Sequence, residues 1–129
     1  MNDLVSEWVD KAESDFHIAS RELRIRLNPS YDAVCFHAQQ CVEKYLKALL
    51  VYRKSQFRPI HDLEVLLNLL LPVYPDFEFV RDLALLLNDY AVDFRYPGAK
   101  ATKDDAKQAV HAMQTIRSFA RQKLNLQKT

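Results

Sequence analysis

Tyr31–Tyr52, YDAVCFHAQQCVEKYLKALLVY, holds neither glycine nor proline, and its apolar residues recur at helical spacing. Turning about 100° per residue puts Val34, Ala38, Cys41, Val42, Tyr45, Leu46, Leu49 and Tyr52 on one face. A helix of this length is about 33 Å long, enough to span a small domain. Beside the apolar seam, His37, Gln40, Lys44 and Lys47 follow one another three or four residues apart and form a polar stripe. Phe36 and Leu50 fall among the polar positions. Either a fifth helix covers them, or they are simply tolerated as exposed apolar residues, or a partner chain buries a second face.

The remaining sequence reads as helices packed around this rod. A first helix is expected from about Asp3 to Leu27, with Leu4, Trp8, Ala12, Phe16, Ala19 and Leu23 as its stripe. Asp15 falls near that stripe. It is either partly exposed at the seam edge or held by a cationic or hydrogen-bonding partner from another helix. Asn28-Pro29-Ser30 breaks the chain, and Ser30 is a plausible N-cap for the rod, which implies an antiparallel hairpin. A third helix starts near His61-Asp62 and carries Leu63, Leu66, Leu67 and Leu70. Asp76, after Pro72 and Pro75, is placed to cap a fourth with Val80, Leu83, Leu86, Leu87 and Tyr90. The lone glycine, Gly98, marks a turn at 93–98. Thr102 and Asp105 form a capping-box opening for a last helix with Ala106, Ala109, Val110, Met113, Ile116, Phe119 and Ala120. The tail after Leu124 is polar and expected to fray. The expected fold is all-α, an up-and-down bundle of four to five helices in a single domain, 1–129.

The composition narrows function. With 18 basic and 17 acidic residues there is no global basic field for nucleic acid. No apolar run is long enough to cross a bilayer and the N-terminus is too polar for a signal peptide, so no membrane contact and a cytoplasmic location are expected. Cys35 and Cys41, about 9 Å apart along a helix, are too distant for a disulfide and read as buried thiols. None of the four histidines stands four residues from another, no phosphate loop is feasible with one glycine, and no nucleophile elbow is present. No metal, cofactor or self-sufficient catalytic motif is therefore expected. Lys44 to Arg58 holds five basic residues and no acidic one, the best local candidate for an anion. Strict alternation of five helices would bring loops 53–60 and 92–101, and the N-termini of helices one, three and five, to one pole. A kinked leg made of helices three and four would send Arg95 to the other.

Cys35-Phe36-His37-Ala38-Gln39-Gln40, followed by Glu43-Lys44 and Leu46-Lys47-Ala48-Leu49-Leu50, resembles the signature helix of HEPN domains. His61-Asp62-Leu63 and Arg95-Tyr96-Pro97 resemble two further short motifs of that family, in the right order, and Trp8, Ala12 and Asp15-Phe16 its first helix. The resemblance implies a compact helical bundle, commonly a homodimer, often encoded beside a minimal nucleotidyltransferase in toxin–antitoxin pairs. It also implies possible nucleotide binding, for which His37, Lys44, His61 and Arg95 would supply donors and Tyr96 a stacking face. Structural roles compete for the same residues: Arg95 would pair with Asp15 or Asp93, and Tyr96 would plug the core.

Many HEPN proteins are metal-independent ribonucleases carrying Arg, four to six residues, then His. The required Arg is absent before all four histidines: 104–106 are Asp104, Asp105 and Ala106, and 54–56 are Lys54, Ser55 and Gln56. Before His37 stand Ser30, Tyr31 and Asp32, and before His17 stand Asp10, Lys11 and Ala12. Only Lys54 keeps a cation at the right spacing, and Lys lacks the planar bidentate grip of Arg. A non-catalytic accessory module is the leading expectation. A ribonuclease with a degenerate site and a purely structural assembly domain are the alternatives.

Overall fold

A computed structural model describes all 129 residues: five α-helices, one 3-10 segment and no strand. The helices are α1 (Asp3–Arg24), α2 (Tyr31–Tyr52), α3 (Leu63–Leu70), α4 (Arg81–Asp93) and α5 (Lys103–Lys123). The 3-10 segment, Pro75–Val80, leads into α4.

α2 has the predicted bounds, and it is the core. The Ser30 hydroxyl accepts from Ala33 N at its start, satisfying one of the free N–H groups there. Val34, Ala38, Cys41, Val42, Tyr45, Leu46 and Leu49 are all buried, and Tyr52 is partly so. Leu50 is covered by the chain itself, whereas Phe36 remains 46% exposed. Each of the other four helices packs on α2.

α1 runs antiparallel to α2: Trp8 meets Lys47, Asp15 meets Lys44, and Glu22 meets Ser30. It stops at Arg24, three residues earlier than expected. Ile25 turns extended, Asn28 takes a left-handed φ of 53°, and the Glu22 carboxylate accepts from Ser30 N, which closes the hairpin. Of the expected stripe, Ala12 and Ala19 are buried and Trp8, Phe16 and Leu23 pack against the core, and only Leu4 is misplaced. Val5 and Val9 are buried and Leu4 is exposed, because the packed face of α1 centres on Ala12 and includes Asp15.

Asp76 caps nothing; it pairs with Lys123 at the end of α5, and α4 begins at Arg81, where Val80 stands at the N-cap and supplies no side-chain cap. Thr102 and Asp105 do form the capping box of α5. The tail does not fray freely. Asn125 adopts φ 60°, Leu126 N returns to Arg121 O (2.8 Å), and the Lys128 carbonyl accepts from Arg117 Nη1 (2.9 Å).

The helices do not alternate strictly. The start of α5 lies beside the start of α2, where Ala101 N donates to Asp32 (2.7 Å), and Arg121 near its end reaches Tyr45 (2.9 Å). α5 therefore runs parallel to α2, with α4 antiparallel to both: Tyr90 donates to Asp105 near one end, and the segment before α4 pairs with Lys123 near the other. The N-termini of helices one, three and five are consequently not gathered at one pole. The chain 53–62 climbs back along α2, so α3 starts level with Gln39 and Glu43 rather than at the end of the rod. That climb is what lets His61 and Arg95 share a cleft although their loops leave α2 at opposite ends.

Candidate functional site

Two buried carboxylates organise the polar face of α2. Asp15, 6% exposed, accepts from His37 Nδ1 through one oxygen (2.8 Å) and from Lys44 Nζ through the other (2.5 Å). Both partners come from the neighbouring helix, which is what a buried carboxylate requires. Glu43, 4% exposed, accepts from Lys47 Nζ (2.9 Å), from His61 Nδ1 (3.0 Å) and from Gln39 Nε2 (3.1 Å). Lys47 belongs to the expected polar stripe, yet it is 5% exposed. Its ammonium lies over the Trp8 ring, Nζ 5.5 Å from the centroid, and pairs with Glu43 one helical turn back.

An open cleft of about 700 Å³ lies between α2 and α4, closed at one end by the start of α3. Its wall holds Gln39, Gln40, Glu43, His61, Asn88 and Arg95 among others. His61 is 79% exposed in its side chain. With Glu43 accepting from Nδ1, Nε2 is left for a ligand. Asp62 caps α3 and also accepts from Asn88 Nδ2 (2.8 Å), while Asn88 Oδ1 accepts from Leu63 N (2.9 Å). Asn88 thus pins α3 to α4 and fixes the position of His61.

Arg95 makes no side-chain hydrogen bond or ion pair; Asp15, one expected partner, is fully engaged elsewhere, and Asp93 does not reach it. A shallower hollow joins Arg95 to Asp32, Phe94, Tyr96 and Lys100, and Tyr96 is 63% exposed rather than plugging the core.

Of the five residues expected at a nucleotide site, His61 and Arg95 come together and Tyr96 adjoins Arg95. His37 and Lys44 turn to the α1 side and bind Asp15 instead. The basic run 44–58 is dispersed for the same reason: Lys44 and Lys47 are neutralised, and Arg53 stacks over Tyr74, 5.8 Å from its centroid. Glu43, Gln39 and Asn88 were not anticipated. The i, i+4, i+8 spacing of Gln39, Glu43 and Lys47 was the legible trace of the first two. No group of three His, Cys, Asp or Glu side chains is placed to hold a metal ion, and no helix is long and apolar enough to cross a membrane.

The architecture is thus an all-α bundle wrapped on one polar-striped central helix, with an Arg–His cleft on its flank. The HEPN domain family matches residues 5–123, and the chain belongs to that family. The crystal structure of ST0689, an archaeal HEPN homologue, superimposes with a TM-score of 0.77 at 25% identity, covering 93% of this chain and 97% of that one. TT1696 from Thermus thermophilus superimposes with a TM-score of 0.74 at 24% identity over 92% of this chain and 97% of that one. A comparison with curated proteins finds no match.

Proposed function

We propose that this HEPN protein is a non-nucleolytic accessory module: a homodimer that engages a minimal nucleotidyltransferase in a toxin–antitoxin-type pair and holds a nucleotide phosphate at Arg95. The observation that carries the reading is one open face where Phe36, uncovered on an otherwise packed helix, adjoins Phe94 and the unpartnered guanidinium of Arg95. A second copy covers Phe36. Arg95 supplies planar donors to phosphate, and exposed Tyr96 beside it offers a ring face to the base. Read forward from Arg95, positions 100–102 are Lys100, Ala101 and Thr102, so the nuclease spacing is broken in this direction as well.

Sedimentation at micromolar protein should give a dimer, and Phe36→Asp a monomer of unchanged helicity; a wild-type monomer refutes the dimer. Millimolar ATP should raise the melting temperature of the wild type and not of Arg95→Ala. No shift leaves an assembly domain alone. Co-purification with a co-expressed minimal nucleotidyltransferase tests the partnership.

One observation favours a second reading, a metal-independent ribonuclease. Arg95 and His61, which no single motif supplies, line one cleft, and Glu43 orients the imidazole. His61 Nε2 would take the proton of a ribose 2′-hydroxyl while Arg95 holds the phosphodiester. RNA cleavage in EDTA that vanishes in His61→Ala supports it; intact RNA at micromolar protein excludes it.

A further inference from the structure

The near-neutral total charge conceals a segregation. Seven of the seventeen acidic residues lie between 62 and 93, where Arg81 is the single basic residue among eighteen. Arg81 itself is consumed by Glu64 (3.0 Å) and Glu78 (2.9 Å). The excess is concentrated on α4. Asp82, Asp89 and Asp93 are exposed, form no ion pair, and stand at i, i+7 and i+11, along one ridge of the helix. Leu85 and Val92, at i+3 and i+10, lie on the cleft side of the same ridge; Val92 is 62% exposed and both line the cleft. The helix is therefore amphipathic twice over. Ala84 and Leu87 face the core, while exposed Val92 and half-buried Leu85 lie beside the carboxylates at the rim of the cleft.

We propose that this outer face of α4 is a docking surface for a lysine- or arginine-rich amphipathic helix of a different protein. Val92 and Leu85 would receive the apolar edge of that helix, and Asp82, Asp89 and Asp93 its cations. Charge complementarity selects the occupant. Along the ridge itself, away from Arg95, a phosphate backbone is repelled. A second copy related by a two-fold axis through this face would set the carboxylates of one α4 against those of the other, which is destabilising. A cationic partner gains at every one of these positions, and its on-rate is steered by the field. The inference rests on the reading of the chain as a partner-binding module and gives that partner's chemistry. It does not depend on Phe36; Arg95 lines the same cleft as Leu85 and Val92, so the cations of the partner lie along the carboxylate ridge and not toward Arg95.

The test uses the full chain and a fluorescein-labelled synthetic 18-residue helix of alternating leucine and lysine faces, read by anisotropy. Saturable binding is expected, weakened at least tenfold by Asp82→Lys/Asp89→Lys/Asp93→Lys and severalfold by Val92→Ser. The reversal Asp3→Lys/Glu7→Lys/Asp10→Lys, on exposed positions of α1 and with the same change in net charge, should leave affinity within twofold. Circular dichroism of each variant confirms the fold. Three results overturn the proposal: no binding, equal loss in the α1 reversal, or equal binding of a peptide whose leucines are replaced by serine. Binding by a Phe36→Asp monomer separates this surface from the dimer, because that variant should bind the peptide unchanged even if the dimer proposal fails.

Discussion

Arg117 on α5 donates from Nε and Nη2 to the two carboxylate oxygens of Glu13 on α1, each at 2.7 Å, across 104 positions of sequence. The same guanidinium stacks on Phe16 at 4.0 Å, and the Tyr45 hydroxyl donates to Glu13 from α2. Three helices are tied at this point, and Arg117 is 6% exposed.

Breaking this fork should unfold the chain more easily, in a pH-dependent way. Burial alone would raise the Glu13 pKa. Hydrogen bonds from Arg117 and Tyr45, with the charges of Arg117 and Arg121, outweigh it and hold the carboxyl below its ordinary 4.5. A lowered folded-state pKa contributes stability that is fully present above the unfolded value and lost as pH falls through the folded one. Glu13→Gln should therefore cost about 1–3 kcal/mol at pH 7, and the gap to wild type should narrow below the ordinary 4.5. Urea melts at pH 7 and pH 3.5 check it; a gap that does not shrink in acid contradicts the assignment.

Lys44 should behave as a structural residue. Asp15→Asn leaves Lys44 facing a neutral amide and should cost about 2–4 kcal/mol, somewhat below a fully buried pair because its partners remain partly exposed. The double change with Lys44→Met should cost less than the sum of the two singles. ATP-induced stabilisation should survive in Lys44→Met, measured against its own unliganded melting temperature.

The cysteines should be inert. Burial pushes the Cys35 thiol up to about 12, with Asp105 and Asp32 adding to it, and burial, then Glu13 and Asp15, push Cys41 up as well. Both are free and buried, and reaction needs an accessible thiolate. A disulfide-exchange reagent at pH 8 should label neither in the folded protein and both in denaturant. Rapid labelling without denaturant would contradict the packing of α2.

Thr102→Ala removes the hydroxyl that accepts from Asp105 N and half of the capping box. About 1 kcal/mol should be lost, visible as a lower urea midpoint with an unchanged slope. Asp76→Ala, by contrast, removes no cap and should cost only what its pair with Lys123 at a half-exposed site contributes, about 0–1 kcal/mol.

The bounds of α2, the leucines of α3, the capping box of α5 and the HEPN resemblance were legible in the chain itself. Helical period and capping are set by residues within a turn or two of each other, so the information is local. Which charges would be spent was not local. His37 and Lys44 look like ligand donors until Asp15, on another helix, takes them, and Lys47 looks solvated until Trp8 and Glu43 enclose it. The tail looked free until Arg117 held it. Only tertiary structure brought His61 beside Arg95, because the path of 53–62 back along α2 depends on how α3 packs against α4, a choice no window of sequence contains. The sequence determined the rods and their apolar faces; the packing, through long-range neutralisation of buried carboxylates, determined which polar groups were left over to act.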